Sequence, residues 1–151
     1  MLAGLAALAT LVSCAPPPDA RTRALEMQNE AYGMAREGRV EEAIARYTEA
    51  IGLAPEVALL YHGRGVAYRD SGDYGAAIAD FGRALELDPG RAITYLERGR
   101  AHYAMEDFGA AEADLQRAVD ASGSDPDIVY PAQKLLDSIR SGDAALDAAG
   151  E

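Results

Sequence analysis

The stretch YHGRGVAYRDSGDYGAAIADFGRALELDP, residues 61–89, decides the fold of this chain. Small residues, among them Gly65, Ala77 and Ala84, are interleaved with large apolar ones at helical spacing, and Gly72 divides the stretch in two. Apolar residues three and four apart predict amphipathic helices, and a glycine between two such runs predicts a turn. The stretch therefore predicts two antiparallel helices that pack backbone to backbone at their small residues.

The same pattern returns on both sides of this stretch with a period of 34 residues. Gly38 precedes Gly72 by that interval, and Pro55 precedes Pro89. The alanines that recur at it are Ala43, Ala77 and Ala111, and then Ala50, Ala84 and Ala118. A fixed period of this length indicates stacked helical pairs, in which each unit buries its apolar face against the next.

This pattern resembles the tetratricopeptide repeat, a helix–turn–helix unit. The resemblance implies an all-α solenoid of three repeats over residues 24–125, with a capping helix in 126–142. The predicted units are 24–57, 58–91 and 92–125. The third unit departs from the family pattern, because Glu106 stands in place of the turn glycine.

We expect the capping helix to run from about Ile128 to Arg140, with Asp127 as its N-cap and Gly142 just beyond its end. Pro131 would then lie in or near the first turn, where proline costs little. The acidic residues 143–151 are expected to form a frayed tail.

Opposite charges recur at two fixed positions of the repeat. The pairs are Glu30 with Arg46, Arg64 with Asp80, and Arg98 with Asp114. The sign is reversed at both positions together in the first unit. Folding each hairpin at its turn brings the two positions face to face, so we predict three ion pairs within the repeats. Each should stabilise the fold by only about 0–1 kcal/mol if it is exposed.

The N-terminus is predicted to be a signal peptide, residues 1–13. Its apolar run is too short to cross a bilayer, which takes roughly 20 residues, and has the length of a signal peptide core. It ends in Leu11-Val12-Ser13-Cys14, which resembles the lipobox of bacterial lipoproteins. The resemblance implies that Cys14 receives diacylglycerol and that the chain is cut before it. In Gram-negative lipoproteins an Asp directly after the cysteine favours retention at the inner membrane. This chain has Ala15 at that position, so we expect an outer-membrane lipoprotein on the periplasmic side of the envelope.

Two other interpretations of this segment stay open: ordinary secretion with cleavage after Ala15, and an uncleaved cytosolic start. Pro16 after the scissile bond disfavours the first, and the lack of Lys or Arg in residues 1–4 disfavours any strong signal. After Cys14 the chain is expected to form a stiff, extended tether over residues 14–23.

The formal net charge of -11 disfavours nucleic acid as a partner. The same charge is repelled by an anionic membrane surface, so membrane attachment would have to come from the lipid. The sequence also offers no catalytic or metal site: His62 and His102 have no partner at metal-ligand spacing, and no nucleophile or phosphate-loop motif occurs. We therefore expect a non-enzymatic protein without cofactor.

In tetratricopeptide repeats, the first helix of each unit lines a concave groove. Carried over residue by residue, the family's groove positions are Leu25, Gln28, Tyr32, Ala35, Arg36, Leu59, His62, Val66, Arg69, Asp70, Ile93, Leu96, Arg100, Tyr103 and Ala104. The predicted groove is apolar with three arginines, at 36, 69 and 100. These either recognise an acidic group or C-terminal carboxylate of a peptide, or are simply solvated helix side chains.

The carboxylate clamp by which related repeats bind chaperone tails is absent from the sequence. Its positions hold Gln28, Tyr32, Gly63, Ile93 and Glu97 instead of Lys, Asn and Arg. A cytosolic chaperone tail is therefore disfavoured as the ligand.

The predicted function is a lipid-anchored scaffold that recruits a peptide or helix of an envelope protein into the groove. Lipoproteins of this build include adaptors for cell-wall hydrolases. The alternative is a structural or pilotin-like assembly subunit of a pilus, secretion or envelope complex that uses its convex face. Because three repeats are near the minimum for a stable array, weak self-association through an exposed end is a further expectation.

Metabolic labelling with an alkyne fatty acid tests the lipid anchor. We expect the wild-type chain to be labelled and Cys14→Ser to be unlabelled, because that thiol is the only one in the sequence. Label that persists in Cys14→Ser, or no label on the wild-type chain, would contradict lipidation at Cys14.

Overall fold

The computed structural model describes residues 19–142, and within this range the chain is entirely helical. The seven helices are α1 (Ala20–Arg36), α2 (Val40–Leu53), α3 (Ala58–Asp70), α4 (Tyr74–Leu87), α5 (Ala92–Ala104), α6 (Phe108–Ala121) and α7 (Pro126–Ser141). The predicted signal peptide, Cys14 and the predicted tail lie outside the described residues.

The helices follow the predicted period. The second helices α2, α4 and α6 begin at Val40, Tyr74 and Phe108, each 34 residues after the last, and each packs on the helix before it. Every first helix also packs on the second helix of the preceding unit. This arrangement confirms the all-α solenoid of three repeats followed by a C-terminal helix.

The C-terminal helix α7 continues the repeat in phase. It begins at Pro126, one period after the start of α5 at Ala92. It packs on α6 and α5 as α5 packs on α4 and α3. Ala132 and Leu136 of α7, 0% and 1% exposed, complete the core cluster of the third unit. The cap is therefore the first half of a fourth unit, without its second helix among the described residues.

Two details of α7 differ from the sequence prediction. Its N-cap is Asp125 and not Asp127, because the Asp125 carboxylate accepts a hydrogen bond of 3.0 Å from the backbone N–H of Asp127. The helix thus starts earlier than expected, and Pro131 lies inside it instead of in its first turn. Gly142 ends the helix in the left-handed conformation, with φ of 78°, as its position predicted.

The first helix also starts early. Asp19 caps it by accepting a hydrogen bond of 2.8 Å from the backbone N–H of Thr22. Residues 20–23, expected to be the end of an extended tether, are helical because this cap satisfies the first turn and no proline follows Asp19 before the repeat begins.

Glycine is required at the helix contact of the second unit because of an aromatic ring. A Cβ placed on Gly65 would lie 2.8 Å from the ring of Phe81, which is 0% exposed. Ala77 and Ala84 are likewise fully buried. The prediction of backbone-to-backbone contact was therefore wrong for Gly65: the small residue makes room for a side chain of the partner helix.

The turns between paired helices need a left-handed residue. Gly38 and Gly72 provide it with φ of 80° and 84°. Glu106, which replaces the glycine in the third unit, adopts φ of 60° all the same. A side chain in this conformation costs about 1 kcal/mol, so the packing of α5 on α6 holds the third turn against local strain.

All three predicted ion pairs are present. Arg64 and Asp80 form two hydrogen bonds of 2.7 and 2.8 Å, and Arg98 and Asp114 form two of 2.7 Å. Arg46 donates to Glu30 from Nε at 2.7 Å. Asp80 and Asp114 are only 6% and 5% exposed, so these two bidentate pairs are buried. Breaking one of them should therefore cost more stability than breaking an exposed pair of the kind that the sequence suggested.

A charge swap tests the second-unit pair. Arg64→Glu leaves two carboxylates together beside a buried helix contact, so we expect a loss of about 3 kcal/mol in the free energy of unfolding. Arg64→Glu with Asp80→Arg should recover a large part of that loss in urea-induced unfolding. Arg46→Glu, at the exposed pair of the first unit, is the matched control and should cost less. Equal losses in the single and double variants would refute the pairing.

Candidate binding groove

A cavity of about 380 Å³ opens between the first helices of the first and second units. We call it the groove cavity. It is lined by Gln28, Tyr32, Ala35, Arg36, Tyr47, Leu59, His62, Gly63, Val66, Ala67, Asp70 and Arg91. Its walls are therefore α1 and α3, with one side chain from α2 and one from the residue that precedes α5.

The groove cavity gathers eight of the fifteen groove positions that the sequence predicted. Those it brings together are Gln28, Tyr32, Ala35, Arg36, Leu59, His62, Val66 and Asp70. Those that do not line it are Leu25, Arg69, Ile93, Leu96, Arg100, Tyr103 and Ala104. All eight lie in the first two units, and none comes from the third.

Helix α7 removes the third unit from the predicted groove. Leu96 is 1% exposed and lies in the core cluster of the third unit, so it cannot form part of a binding surface as predicted. Ile93 packs on the same cluster. The hydroxyl of Tyr103 lies 3.1 Å from that of Ser138 on α7. Position within the repeat did not reveal this, because Leu96 has the same repeat position as Gln28 and His62, which do line the groove cavity.

The floor of the cavity depends on a contact between units. A Cβ on Gly63 would lie 2.5 Å from the ring of Tyr47, which is 2% exposed. Burial raises the pKa of Tyr47 to about 12, so its hydroxyl stays protonated. Phe81 is the residue of the second unit that corresponds to Tyr47, and its ring packs on Gly65 of the same unit. The first unit has Ala31 at the position of Gly65, and its ring Tyr47 packs on Gly63 of the next unit.

Two of the three predicted groove arginines are neutralised within the protein. Arg69 donates to Glu97 and, at 2.7 Å, to Asp70. Arg100 donates to the other oxygen of Glu97 at 2.9 Å. Glu97 is itself 7% exposed, so it is held between the two guanidinium groups. These arginines are structural, and the expectation that they form basic spots open to a ligand was wrong for both.

The third predicted arginine is open. Arg36 is exposed, and its guanidinium carbon lies 6.0 Å from the centre of the Tyr32 ring. Tyr32 is itself 57% exposed, although it is a large aromatic residue. An exposed aromatic ring with a cation above it makes a surface suited to a partner's apolar and acidic groups.

Sequence reasoning missed Arg91. It lies at the N-cap position of α5, outside every first helix, yet its side chain reaches the groove cavity. Its Nε atom is buried and has no hydrogen-bond partner within the described chain. The only signal in the sequence was a basic residue at the last position of the second unit, where the other units have Val57 and Asp125.

His62 is a neutral wall of the groove cavity. Its Nδ1 lies 2.9 Å from the hydroxyl of Thr94, a contact between α3 and α5. Burial, with the charges of Arg91 and Arg69, lowers the pKa of His62 from 6.5 to about 4. At neutral pH the ring is thus uncharged and serves as a polar, hydrogen-bonding surface.

Within residues 19–142 no three His, Cys, Asp or Glu side chains are placed to hold a metal ion. No helix in this same range has the length and apolar character needed to cross a membrane.

Family comparison agrees with the fold. Residues 65–106 match a family described as TPR repeat, and residues 96–130 match one described as Tetratricopeptide repeat. Together these matches cover most of the second and third units and the start of α7. Residues 65–130 thus match the tetratricopeptide repeat family. The first unit lies outside these matches and has the same pair of helices as the other units.

Solved tetratricopeptide domains are similar over most of the described chain. One is the TPR2B domain of yeast Sti1, in a complex described as pHsp70, with a TM-score of 0.75, 26% identity, and coverage of 80% of this chain and 98% of that one. Another is the second TPR domain of human RPAP3 in complex with an HSP70 peptide. Its TM-score is 0.73 at 25% identity, and the match covers 80% of this chain and 98% of that one. The type III secretion translocator chaperone SycD of Yersinia enterocolitica shares the fold. Its TM-score is 0.77 at 15% identity, and the match covers 81% of this chain and 95% of that one.

A curated relative matches over a shorter range. Serine/threonine-protein phosphatase T of Schizosaccharomyces pombe is 46% identical over 52 residues. The match covers 34% of this chain and spans only 11% of that protein's length. The likeness is therefore to a small part of that protein.

The pH dependence of stability tests the environment of His62. Because the folded-state pKa of about 4 is below the unfolded value of 6.5, the unfolded state binds more protons between these limits. Stability should therefore be lost as the pH falls through this window. We expect the wild-type chain to lose about 2–3 kcal/mol more than His62→Gln there, measured by urea unfolding. His102 is common to both chains, so identical pH profiles would contradict the burial of a neutral His62.

Proposed function

We propose that this protein is a non-catalytic adaptor that captures a segment of a partner protein in the groove cavity, while a lipid on Cys14 holds it at the bacterial envelope. The groove cavity itself is the observation that carries the proposal. It lies where the first helices of two units meet, and a volume of about 380 Å³ can accept side chains of a bound peptide.

The chemistry of the walls supports a peptide ligand. Tyr32, Leu59 and Val66 offer apolar surface, and Gln28 and His62 add hydrogen-bonding groups. Such mixed walls suit an extended segment or one face of a helix, in which apolar side chains enter the cavity and polar groups fix their register. An exposed tyrosine at the rim is a frequent anchor at protein interfaces.

The solved relatives support peptide capture as a class of function. The RPAP3 domain is in complex with an HSP70 peptide, and the Sti1 domain is in a complex described with pHsp70. In this chain the clamp positions hold Gln28, Tyr32, Gly63, Ile93 and Glu97. Since none of these is a cation, we propose a ligand other than a chaperone tail.

The envelope location rests on the N-terminal sequence. Leu11-Val12-Ser13-Cys14 resembles a lipobox, and Ala15 favours the outer membrane in Gram-negative lipoproteins. A lipid anchor on Cys14 would hold the repeats close to the membrane despite their negative charge, because acyl chains bind through apolar burial. The partner is accordingly proposed to be a protein of the periplasmic side of the envelope.

Site-specific photocrosslinking in intact cells of the native host tests the groove. Benzoylphenylalanine in place of Tyr32 should give a defined adduct with one partner, because this side chain lines the groove cavity and is 57% exposed. The matched control is the same group in place of Ala79, an exposed residue of α4 outside the cavity. Adducts from position 79 and none from position 32 would instead favour an assembly role through the outer face.

A further inference from the structure

The basic side chains divide into those paired with carboxylates and those that are not. Within residues 19–142, the ones without an ion pair are Arg23, Arg36, Arg91, Arg117 and Lys134. Two of these, Arg36 and Arg91, line the same cavity. In a chain with a net charge of -11, where acidic residues outnumber basic ones, two open cations in one cavity are a local excess of positive charge.

Of the two arginines, Arg91 gives the stronger indication of a ligand. Its Nε is buried without a hydrogen-bond partner in the described chain, although a guanidinium is a rigid set of donors. No other nitrogen of this guanidinium has a hydrogen bond within residues 19–142, and the side chain lines the cavity, so Arg91 has donors to offer a ligand there. The positive charge is felt across the cavity, because Arg91 helps to lower the pKa of His62.

The carboxylate in the cavity wall does not cancel these charges. Asp70 lines the cavity, but Arg69 donates to its Oδ1 from both Nε and Nη2, at 3.1 and 2.7 Å. Arg69 also donates to Glu97. Because Asp70 is engaged in this way and His62 is neutral, the cavity keeps a net positive character from Arg36 and Arg91.

The surroundings of the two cations define the rest of the ligand. Tyr32, Leu59 and Val66 present apolar surface in the same cavity. A small free anion would leave this surface exposed to water, whereas a peptide would cover it with apolar side chains. A nucleic acid is disfavoured because the net charge of -11 repels a phosphate backbone.

Resting on the proposed function, we infer that the partner segment carries an acidic side chain, Asp or Glu, next to an apolar residue, and that Arg91 together with Arg36 binds its carboxylate. The apolar neighbour lies on Tyr32 and Val66. This site differs from the carboxylate clamp both in its residues and in its place, since Arg91 belongs to the junction before α5 and not to a first helix.

A pair of synthetic peptides tests this recognition. One is a fluorescein-labelled decapeptide of alternating Leu and Glu, amidated at its C-terminus, and the other has Gln in place of each Glu. Fluorescence anisotropy with the full chain should show about tenfold tighter binding of the Glu peptide in low salt. The preference should shrink as salt is added, because exposed parts of the site are screened.

Three variants locate the preference. Arg91→Gln should weaken binding of the Glu peptide by about tenfold and leave the Gln peptide unchanged. Arg36→Gln, at an exposed position that cannot disturb the core, should weaken it in the same direction. Arg117→Gln removes another unpaired arginine, outside the cavity, and should have no effect. In NMR spectra the Nε–H signal of Arg91 should shift when the Glu peptide is added.

The outcomes separate this inference from the proposed function. Equal binding of both peptides, with Tyr32→Ala weakening both, would leave the groove as a peptide site and overturn acid recognition. Tight binding of the Gln peptide only when its C-terminus is a free acid would overturn the side-chain assignment in favour of a terminal carboxylate. A dimer of the free chain that Arg91→Gln abolishes, detected by light scattering, would show that the occupant is a second copy. Failure of both peptides to bind, while position 32 still crosslinks a partner, would overturn this inference alone.

Discussion

Each helix pair of this chain has more apolar surface than it can bury by itself, and the whole structure depends on that constraint. A unit is covered only when the next unit is stacked on it at the same rotation, so the 34-residue period must be kept through the array. Leu115, 0% exposed, shows the contact within a unit: a Cβ on Gly99 would lie 3.0 Å from it. Ala54, Val57 and Leu60 show the contact between units, since they share one buried cluster across the junction of α2 and α3. Helix α7 is in phase for the same reason, because only an in-phase helix fits the surface that the third unit leaves.

This continuation has a consequence for where a ligand can bind. A helix in phase after α5 covers the third unit, and Leu96 and Ile93 become part of its packing. Helices α3 and α5 pack on the first and second units in the same phase, and the groove cavity nevertheless opens between α1 and α3. Residue type matters as well, because Leu96 of the third unit is buried in the core, whereas Gln28 and His62 at the same repeat position line the groove cavity.

Charge is distributed by the same packing. Most arginines serve the fold: Arg64 and Arg98 bind buried carboxylates of their own units, and Arg69 and Arg100 hold Glu97 between them. What is left open in the cavity is the pair Arg36 and Arg91. An acidic protein can in this way present a small basic surface, because its carboxylates are either engaged or lie elsewhere.

The sequence by itself determined the repeat, its period, its turns and its three ion pairs, because each of these is set by residues at fixed separations along the chain. The resemblance to the tetratricopeptide repeat also supplied Tyr32, His62 and Val66, which line the groove cavity. Only the tertiary structure decided that Asp80 and Asp114 are buried, that Leu96 is core and that Arg91 reaches the cavity. Burial and the choice of ion-pair partner depend on which helix packs alongside, and no period along one chain specifies the distance between side chains on three different helices.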